Sequence, residues 1–509
     1  DDKGYNRIMK ANQIKIGAIL SYLQMAFNVA INLIYTPVMI KLLGKSEYGL
    51  YNTVASTISL LTILNLGFSS SYIRFFSVYK SKGENEKINS LNGLFLIVFL
   101  IISLISFLCG LFLTSNIQLV FDNGLTKTEY EIARVLMFLL TLNLSISFPM
   151  SLFSCIISAH EKFIFLKAML IGKTVLSPIL SIPFMLLGYG SISIVVVTLV
   201  VSLVVDISFI FYCFAILKTK FKFKSFEKGI FGQFFVFTIF IAINLIVDQI
   251  NLNIDKLLLG RFKGTDVVAV YSVGFTLYMA FQQFSLSISG LFAPRIHSII
   301  NSSKNRDEEI SNLFIKVGRI QFLILGLICT GFIFFGQQFL HFWVGDSYTD
   351  AYYVMLILCI PSMIALTQNI GIEVQRALNK HKFRSIAYLV MALVNLVLSI
   401  FLAQQYGAIG SAIGTGVSLI LANGLVMNIY YYKQCGIDIV LFWRNIIRIS
   451  FGLVIPVLCG VLLSRYFPYD NFWLLLIAIL IYTTIYCASM WLTSMNKYEK
   501  GLVLSRFSK

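Results

Sequence analysis

Long apolar stretches separated by short, basic, polar segments set the pattern of this chain. Residues 91–121 contain no Asp, Glu, Lys or Arg, nor do residues 174–205 or 231–247. A helix needs about 20 predominantly apolar residues to cross a bilayer, so the longest runs must fold back or overhang. Hydropathy predicts fourteen spanning helices, at approximately 14–42, 51–73, 91–113, 134–157, 165–187, 191–217, 231–256, 268–293, 321–342, 351–375, 385–404, 408–432, 446–463 and 472–493. The expected fold class is all-α and integral to the membrane. An even number of spans puts both termini on one side.

The two halves repeat one another. Lys41-Leu42-Leu43-Gly44 through Tyr51 to Arg74-Phe75 reads like Lys256-Leu257-Leu258-Leu259-Gly260 through Tyr271 to Arg295-Ile296, at offsets of 215, 220 and 221. Ala159-His160-Glu161-Lys162-Phe163 matches Asn379-Lys380-His381-Lys382-Phe383 at 220, and Tyr189-Gly190 matches Tyr406-Gly407 at 217. So small a drift fits duplicated helical units with loop insertions. Six spans separate the copies, so both halves have the same orientation, with a pseudo-twofold axis along the membrane normal and an expected cleft between them. The expected organisation is a cytoplasmic tail (1–13), an N-lobe (14–217), a basic linker (218–230), a C-lobe (231–432), two extra helices (433–493) and a cytoplasmic tail (494–509). Asp1-Asp2-Lys3 reads as a tag remnant and Met9 as a native start. No cleavable leader is evident, and the first span is expected to stay as an anchor.

Charge orients the bundle. With the N-terminus inside, cytoplasmic segments hold 29 of the 40 Lys and Arg and outer loops six, which places both termini in the cytoplasm. The net charge of +17 is explained by that bias, without nucleic acid as a partner. Composition agrees: 58% of residues are hydrophobic and 12% charged, mean hydropathy is +0.83, and soluble domains carry roughly a quarter charged residues. Phe221-Lys222-Phe223-Lys224-Ser225-Phe226 in the linker suits a strip on an anionic leaflet, and residues 304–319 suit a second interfacial helix with Ile310, Leu313, Phe314 and Val317 on one face. The eight cysteines and four histidines show no metal-ligand spacing, so no metal or other cofactor is expected. No P-loop or Ser-His-Asp set appears, and the outer loops are short, which argues against an ATP-driven pump and against a membrane glycosyltransferase.

Charges within spans carry the candidate chemistry, because each costs on the order of 3 kcal/mol to insert. Lys41, Arg74, Lys173, Lys256 and Arg295 sit in or at the edges of spans. They suit an anionic ligand, with Arg offering forked donors to phosphate oxygens. The bland alternatives are snorkelling at span ends and, for Lys173, an ion pair with Asp206. Asp248 and Asp255, seven apart on span seven with Gln249, Asn251 and Asn253 nearby, suit coupling to Na⁺ or H⁺; the alternative is that Asp255 pairs with Lys256. Glu373 beside Arg376 suits a gate or a plain ion pair.

These residues resemble a known family. Tyr35-Thr36-Pro37 with Leu43-Gly44-Lys45-Ser46-Glu47-Tyr48-Gly49-Leu50-Tyr51, Asn65-Leu66-Gly67-Phe68 and Arg74-Phe75 is similar to the start of Wzx-type bacterial oligosaccharide flippases. Asp255-Lys256-Leu257-Leu258-Leu259-Gly260, Trp343-Val344-Gly345, residues 369–377, Tyr406-Gly407-Ala408-Ile409-Gly410 and Met495-Asn496-Lys497-Tyr498-Glu499-Lys500 continue the resemblance over essentially the whole chain. It implies the multidrug/oligosaccharidyl-lipid/polysaccharide exporter superfamily, with two six-helix bundles, a central cavity and alternating access. The implied cargo is an undecaprenyl-diphosphate-linked oligosaccharide, turned from the inner to the outer leaflet of the bacterial plasma membrane alongside polysaccharide polymerase or ligase machinery. Arg74, Arg295 and Lys173 match the expected cavity cations by placement, and the two extra spans match a lipid-tail groove. A lipid II or teichoic-acid precursor flippase shares this chemistry. A multidrug antiporter of the same superfamily is the further alternative, its usual cationic cargo being repelled by a basic cavity.

Overall fold

The computed structural model describes residues 2–121, 125–223, 230–302, 305–378, 380–469 and 471–507. Lys224, Ser225, Phe226 and Lys228 of the linker, together with Asp1, Lys304 and Asn379, lie outside these. In lipid every backbone polar group must be satisfied internally, so apolar runs of this length form helices. Among the described residues there is helix and no strand.

Two compact units divide the chain, Asp1–Ala269 and Val270–Lys509. The first holds α1 (Asp2–Ser59), α2 (Phe68–Ser81), α3 (Asn85–Ser115), α4 (Lys127–Ala159), α5 (Phe163–Leu186), α6 (Gly190–Phe211), α7 (Ile230–Phe262) and the first turn of α8 (Thr265–Ser289). The second holds the rest of α8, then α9 (Ala293–Ser302), α10 (Arg306–Val344), α11 (Asp350–Thr367), α12 (Ile370–Ala377), α13 (His381–Leu419), α14 (Met427–Gln434), α15 (Ile439–Ser450), α16 (Val454–Tyr466), α17 (Phe472–Ser489) and α18 (Lys497–Phe507). Twelve continuous helical stretches among the described residues are long and apolar enough to cross a membrane. Two of them, Lys15–Ser81 and Lys382–Gln434, are 67 and 53 residues long. Each is broken by a glycine in a conformation other residues avoid, Gly44 (φ 79°, ψ 171°) and Gly407 (φ 58°, ψ −133°). Counting each of these two as a pair gives fourteen spans.

The duplication is visible in backbone and side chains. Gly190 and Gly407 both adopt φ 58°. Phe165 stacks on Tyr212 with ring centroids 4.1 Å apart and 15° between planes. Phe383 stacks on Tyr430 at 4.2 Å and 9°. Both residues of the second pair lie 218 positions after those of the first. The glycine that ends the helix before α8 is Gly264 (φ 88°), 220 positions after Gly44 (φ 79°). Register at this helix end therefore runs at 220, and Arg261, rather than Lys256, occupies the place of Lys41.

Inside the first unit the stretch from Gly44 to Tyr51 ties several helix ends together. Glu47 Oε1 accepts from Ser191 N at 2.6 Å and Ser191 Oγ at 2.7 Å, capping the exposed donors of α6. Ser46 donates to Glu129, which completes a capping box with Thr126 on α4, and lies 2.9 Å from Thr265 Oγ1. Gly49 permits the closest approach: a Cβ there would lie 1.8 Å from the Thr265 carbonyl oxygen. Removing the Glu47 carboxylate in Glu47→Ala is expected to cost about 1–2 kcal/mol, read as a lowered thermal midpoint of the purified protein.

Two expected interfacial segments are seen in part. The described start of the linker is docked on protein through its backbone and Phe221, while Lys222 and Phe223 are exposed. Lys222 N donates to Asn89 O at 2.9 Å, Asn92 Nδ2 donates to Lys220 O at 2.9 Å, and Phe221 packs between Phe153 and Phe214. Lys222 Nζ pairs with Glu86 at 2.7 Å. Likewise residues 306–319 run unbroken into α10, Arg306–Val344, with no separate interfacial helix. The predicted face is buried, but by protein: Phe314 packs edge-on against Tyr431 and Phe442.

Candidate functional site

Between residues 16 and 34, α1 exposes both apolar and polar side chains. Ile16, Ile19, Leu23, Phe27 and Ile34 are the apolar ones, clustered on one face. Gln24, Asn28 and Asn32 follow one another at four-residue intervals, forming a stripe, and both asparagines are exposed. Polar side chains left open on a spanning helix line water or a polar ligand, since in lipid they would stand unsatisfied. Asn32 Nδ2 donates to Asn28 Oδ1 at 2.7 Å. Lys167 on α5 reaches this stripe, its Nζ donating to Gln24 Oε1 at 3.2 Å. Further along the same seam Tyr35 Oη and Ser181 Oγ are 2.5 Å apart.

A second stripe runs along α7. Asn244, Asp248, Asn251 and Asp255 share one face, at spacings of four, three and four. Asn244 and Asp248 are exposed, Asn251 is half-buried, and Asp255 is only 2% exposed. The two acids that the sequence places on one face thus have different surroundings. Lys256 is half-buried within electrostatic reach of Asp255.

The remaining candidates divide between the units. Lys41 and Arg74 are exposed, Arg74 on the short helix that follows a 3₁₀ segment at Leu60–Asn65. Arg295 is exposed on the corresponding short helix α9 of the second unit, after the 3₁₀ segment Gly290–Phe292. Lys173 on α5 and Asp206 on α6 are half-buried and within electrostatic reach of one another. Glu373 Oε1 and Arg376 Nη1 form an ion pair at 2.7 Å at the surface of α12.

Sequence reasoning passed over three features. Gln24, Asn28, Asn32 and Asn244 carry no charge, so a search for intramembrane ions misses them; their spacing on otherwise apolar helices is the signal that finds them. Lys167 is the fifth residue of α5, six positions before Lys173, and is not among the charges counted within spans. Arg319, 5% exposed, meets Glu499, 2% exposed, through Nε at 2.6 Å and Nη2 at 3.0 Å. Arg319 Nη2 also donates to Ser494 O at 2.9 Å, and Asn496 and Glu499 cap α18 reciprocally. Among the described residues no group of three or more His, Cys, Asp or Glu could hold a metal ion.

Fourteen apolar spans with polar stripes exposed on two of them define a multi-pass membrane protein built like a transporter. The comparisons narrow the class. The family model described as "Polysaccharide biosynthesis protein" matches residues 16–300, and the chain belongs to that family. A Shigella flexneri protein named provisionally as an O-antigen transporter is 22% identical over 408 residues, covering 78% of this chain and 92% of its own. The membrane protein EpsK of Bacillus subtilis (strain 168), whose function is uncharacterised, is 23% identical over 484 residues, 93% of this chain and 94% of that one. Among solved structures, the lipid II flippase MurJ in an inward closed conformation superposes with a TM-score of 0.70 at 18% identity, over 97% of this chain and all of that one. The MATE multidrug transporter DinF-BH gives 0.60 at 18% identity, over 84% and 96%. The fold is that of these transporters.

Proposed function

We propose that this protein is a flippase that carries an undecaprenyl-diphosphate-linked oligosaccharide from the inner to the outer leaflet of the bacterial plasma membrane by alternating access, with both termini in the cytoplasm. The observation that carries this reading is the pairing, in a polysaccharide biosynthesis family member, of lysines on α5 with an exposed amide stripe on α1, joined at Lys167 and Gln24. Lysine and arginine suit the diphosphate, and amides suit sugar. Arg74, Arg295 and Lys173 are assigned to the diphosphate, with Lys41 and Lys256 as further cations along its route. A diphosphate leaving a negative interior gains about 2.3 kcal/mol per charge per 100 mV, which supplies a drive without ATP. Coupling to Na⁺ or H⁺ is assigned to Asp248, the exposed acid of α7. The flippase hands its cargo to a polymerase or ligase outside.

Deletion of the gene is expected to leave lipid-linked oligosaccharide on the cytoplasmic face, scored by mass spectrometry and surface glycan staining, with rescue by the wild-type chain. The Arg74→Gln/Arg295→Gln variant is expected to abolish rescue at unchanged protein level. Full rescue by that variant would remove both arginines from the mechanism, and normal glycan export in the deletion strain would remove the flippase reading.

A further inference from the structure

Two packed helices of the first unit, α1 and α5, carry different polar side chains where they run side by side. Lys167 and Lys173 stand on α5, and Gln24, Asn28 and Asn32 on α1. They meet at one point, the 3.2 Å bond from Lys167 Nζ to Gln24 Oε1. The two sets speak to different chemistry. A phosphate oxygen at neutral pH chiefly accepts hydrogen bonds, and a lysine only donates them. A sugar hydroxyl both donates and accepts, and so does a carboxamide.

We propose that the α1 stripe is the glycan-reading surface of the protein: Asn28 and Asn32 hydrogen-bond uncharged hydroxyl groups of the sugars, while Lys167, where the two chemistries meet, holds the adjoining phosphate. This assignment rests on the flippase reading and names the part of the cargo that each helix recognises. The bond between the two asparagines orients both amides. It leaves the Asn28 Nδ2 donor and the Asn32 Oδ1 acceptor unengaged among the described residues, one of each kind for a sugar. Both side chains are exposed, so a ligand reaches them without rearrangement of the helix. From Gln24 to Asn32 the stripe extends about 12 Å along the axis. The stripe itself carries no charge, so it selects hydroxyl pattern and not ionic sugars. A site built to hydrogen-bond a ligand's hydroxyl groups discriminates strongly against a ligand that lacks them.

The test compares lipids that co-purify in mild detergent from cells making the glycan. Wild type, Asn28→Leu/Asn32→Leu and Lys167→Met are purified, and the bound lipids are quantified by mass spectrometry as glycan-bearing and bare polyprenyl diphosphate. Wild type is expected to retain the glycan-bearing form. The double variant is expected to lose that form about tenfold, the equivalent of one hydrogen bond, and to keep the bare diphosphate. Lys167→Met is expected to lose both. Asn28→Ala/Asn32→Ala, which adds no bulk, is expected to reproduce the selective loss and so excludes crowding as its cause. A double variant with the wild-type ratio of the two lipids, or with equal loss of both, overturns the assignment. A wild-type protein that retains neither lipid points instead to failure of the flippase reading.

Discussion

Replacing Arg319 by methionine is expected to lower the unfolding free energy by about 3–5 kcal/mol, because Glu499 is then left charged and buried without its partner. The double variant Arg319→Met/Glu499→Met should recover most of that loss, since removing both charges together removes the desolvation that their pairing offsets. Thermal or denaturant unfolding of the detergent-solubilised protein reads both. A single variant as stable as wild type would show that the pair contributes little. The reason for expecting a large effect lies in what Arg319 joins. It stands on α10, bonds the backbone at Ser494 beyond α17, and grips Glu499 in α18. One turn away Lys316 lies over the Tyr498 ring, 5.0 Å from its centroid. Gly326 and Tyr486, then Phe334 and Gly460, continue the contact of α10 with α17 and α16. The last two spans are thus fixed to the second unit at the base of their hairpin and along its length.

Gly49→Ala should be the most damaging small substitution in the first unit. A Cβ placed 1.8 Å from the Thr265 oxygen and 2.6 Å from its carbon meets main chain, which cannot turn aside. Overpacking of this kind costs about 1–3 kcal/mol or more. Gly172→Ala is the matched control. Nothing lies within 4 Å of a Cβ there, and alanine in a helix interior is favoured over glycine by about 1 kcal/mol. Opposite shifts in thermal midpoint are expected, down for Gly49→Ala and up for Gly172→Ala. Equal shifts would refute the close packing of α1 on the start of α8.

Much of the architecture could be read from the chain because the bilayer is a strict solvent. Apolar runs must become helices, and the spans expected at 91–113 and 134–157 lie inside Asn85–Ser115 and Lys127–Ala159. Tyr189-Gly190 and Tyr406-Gly407 were recognisable as equivalent because the turn needs glycine, and both glycines share one φ. The pairing of Lys41 with Lys256 was misread for the same reason in reverse. Both are followed by leucines and a glycine, yet Gly260 is packed against Thr53 within α7, and the turn is made by Gly264. The site was harder to see. Charge draws attention to Asp248 and Lys173, whereas the uncharged Gln24, Asn28 and Asn32 are marked only by their four-residue spacing on an otherwise apolar helix. The partnership of Arg319 with Glu499 spans 180 positions, and nothing local in the sequence announces it.

The docked start of the linker changes what a tether can transmit. Tyr72 Oη donates to Asn92 Oδ1 at 2.6 Å, and Asn92 Nδ2 holds Lys220 O, both residues being almost wholly buried. The helix with Tyr72 also carries Arg74. Tension arriving from beyond residue 223 therefore meets a knot instead of slack, and it is felt within two hydrogen bonds at the element that bears a cation assigned to the cargo.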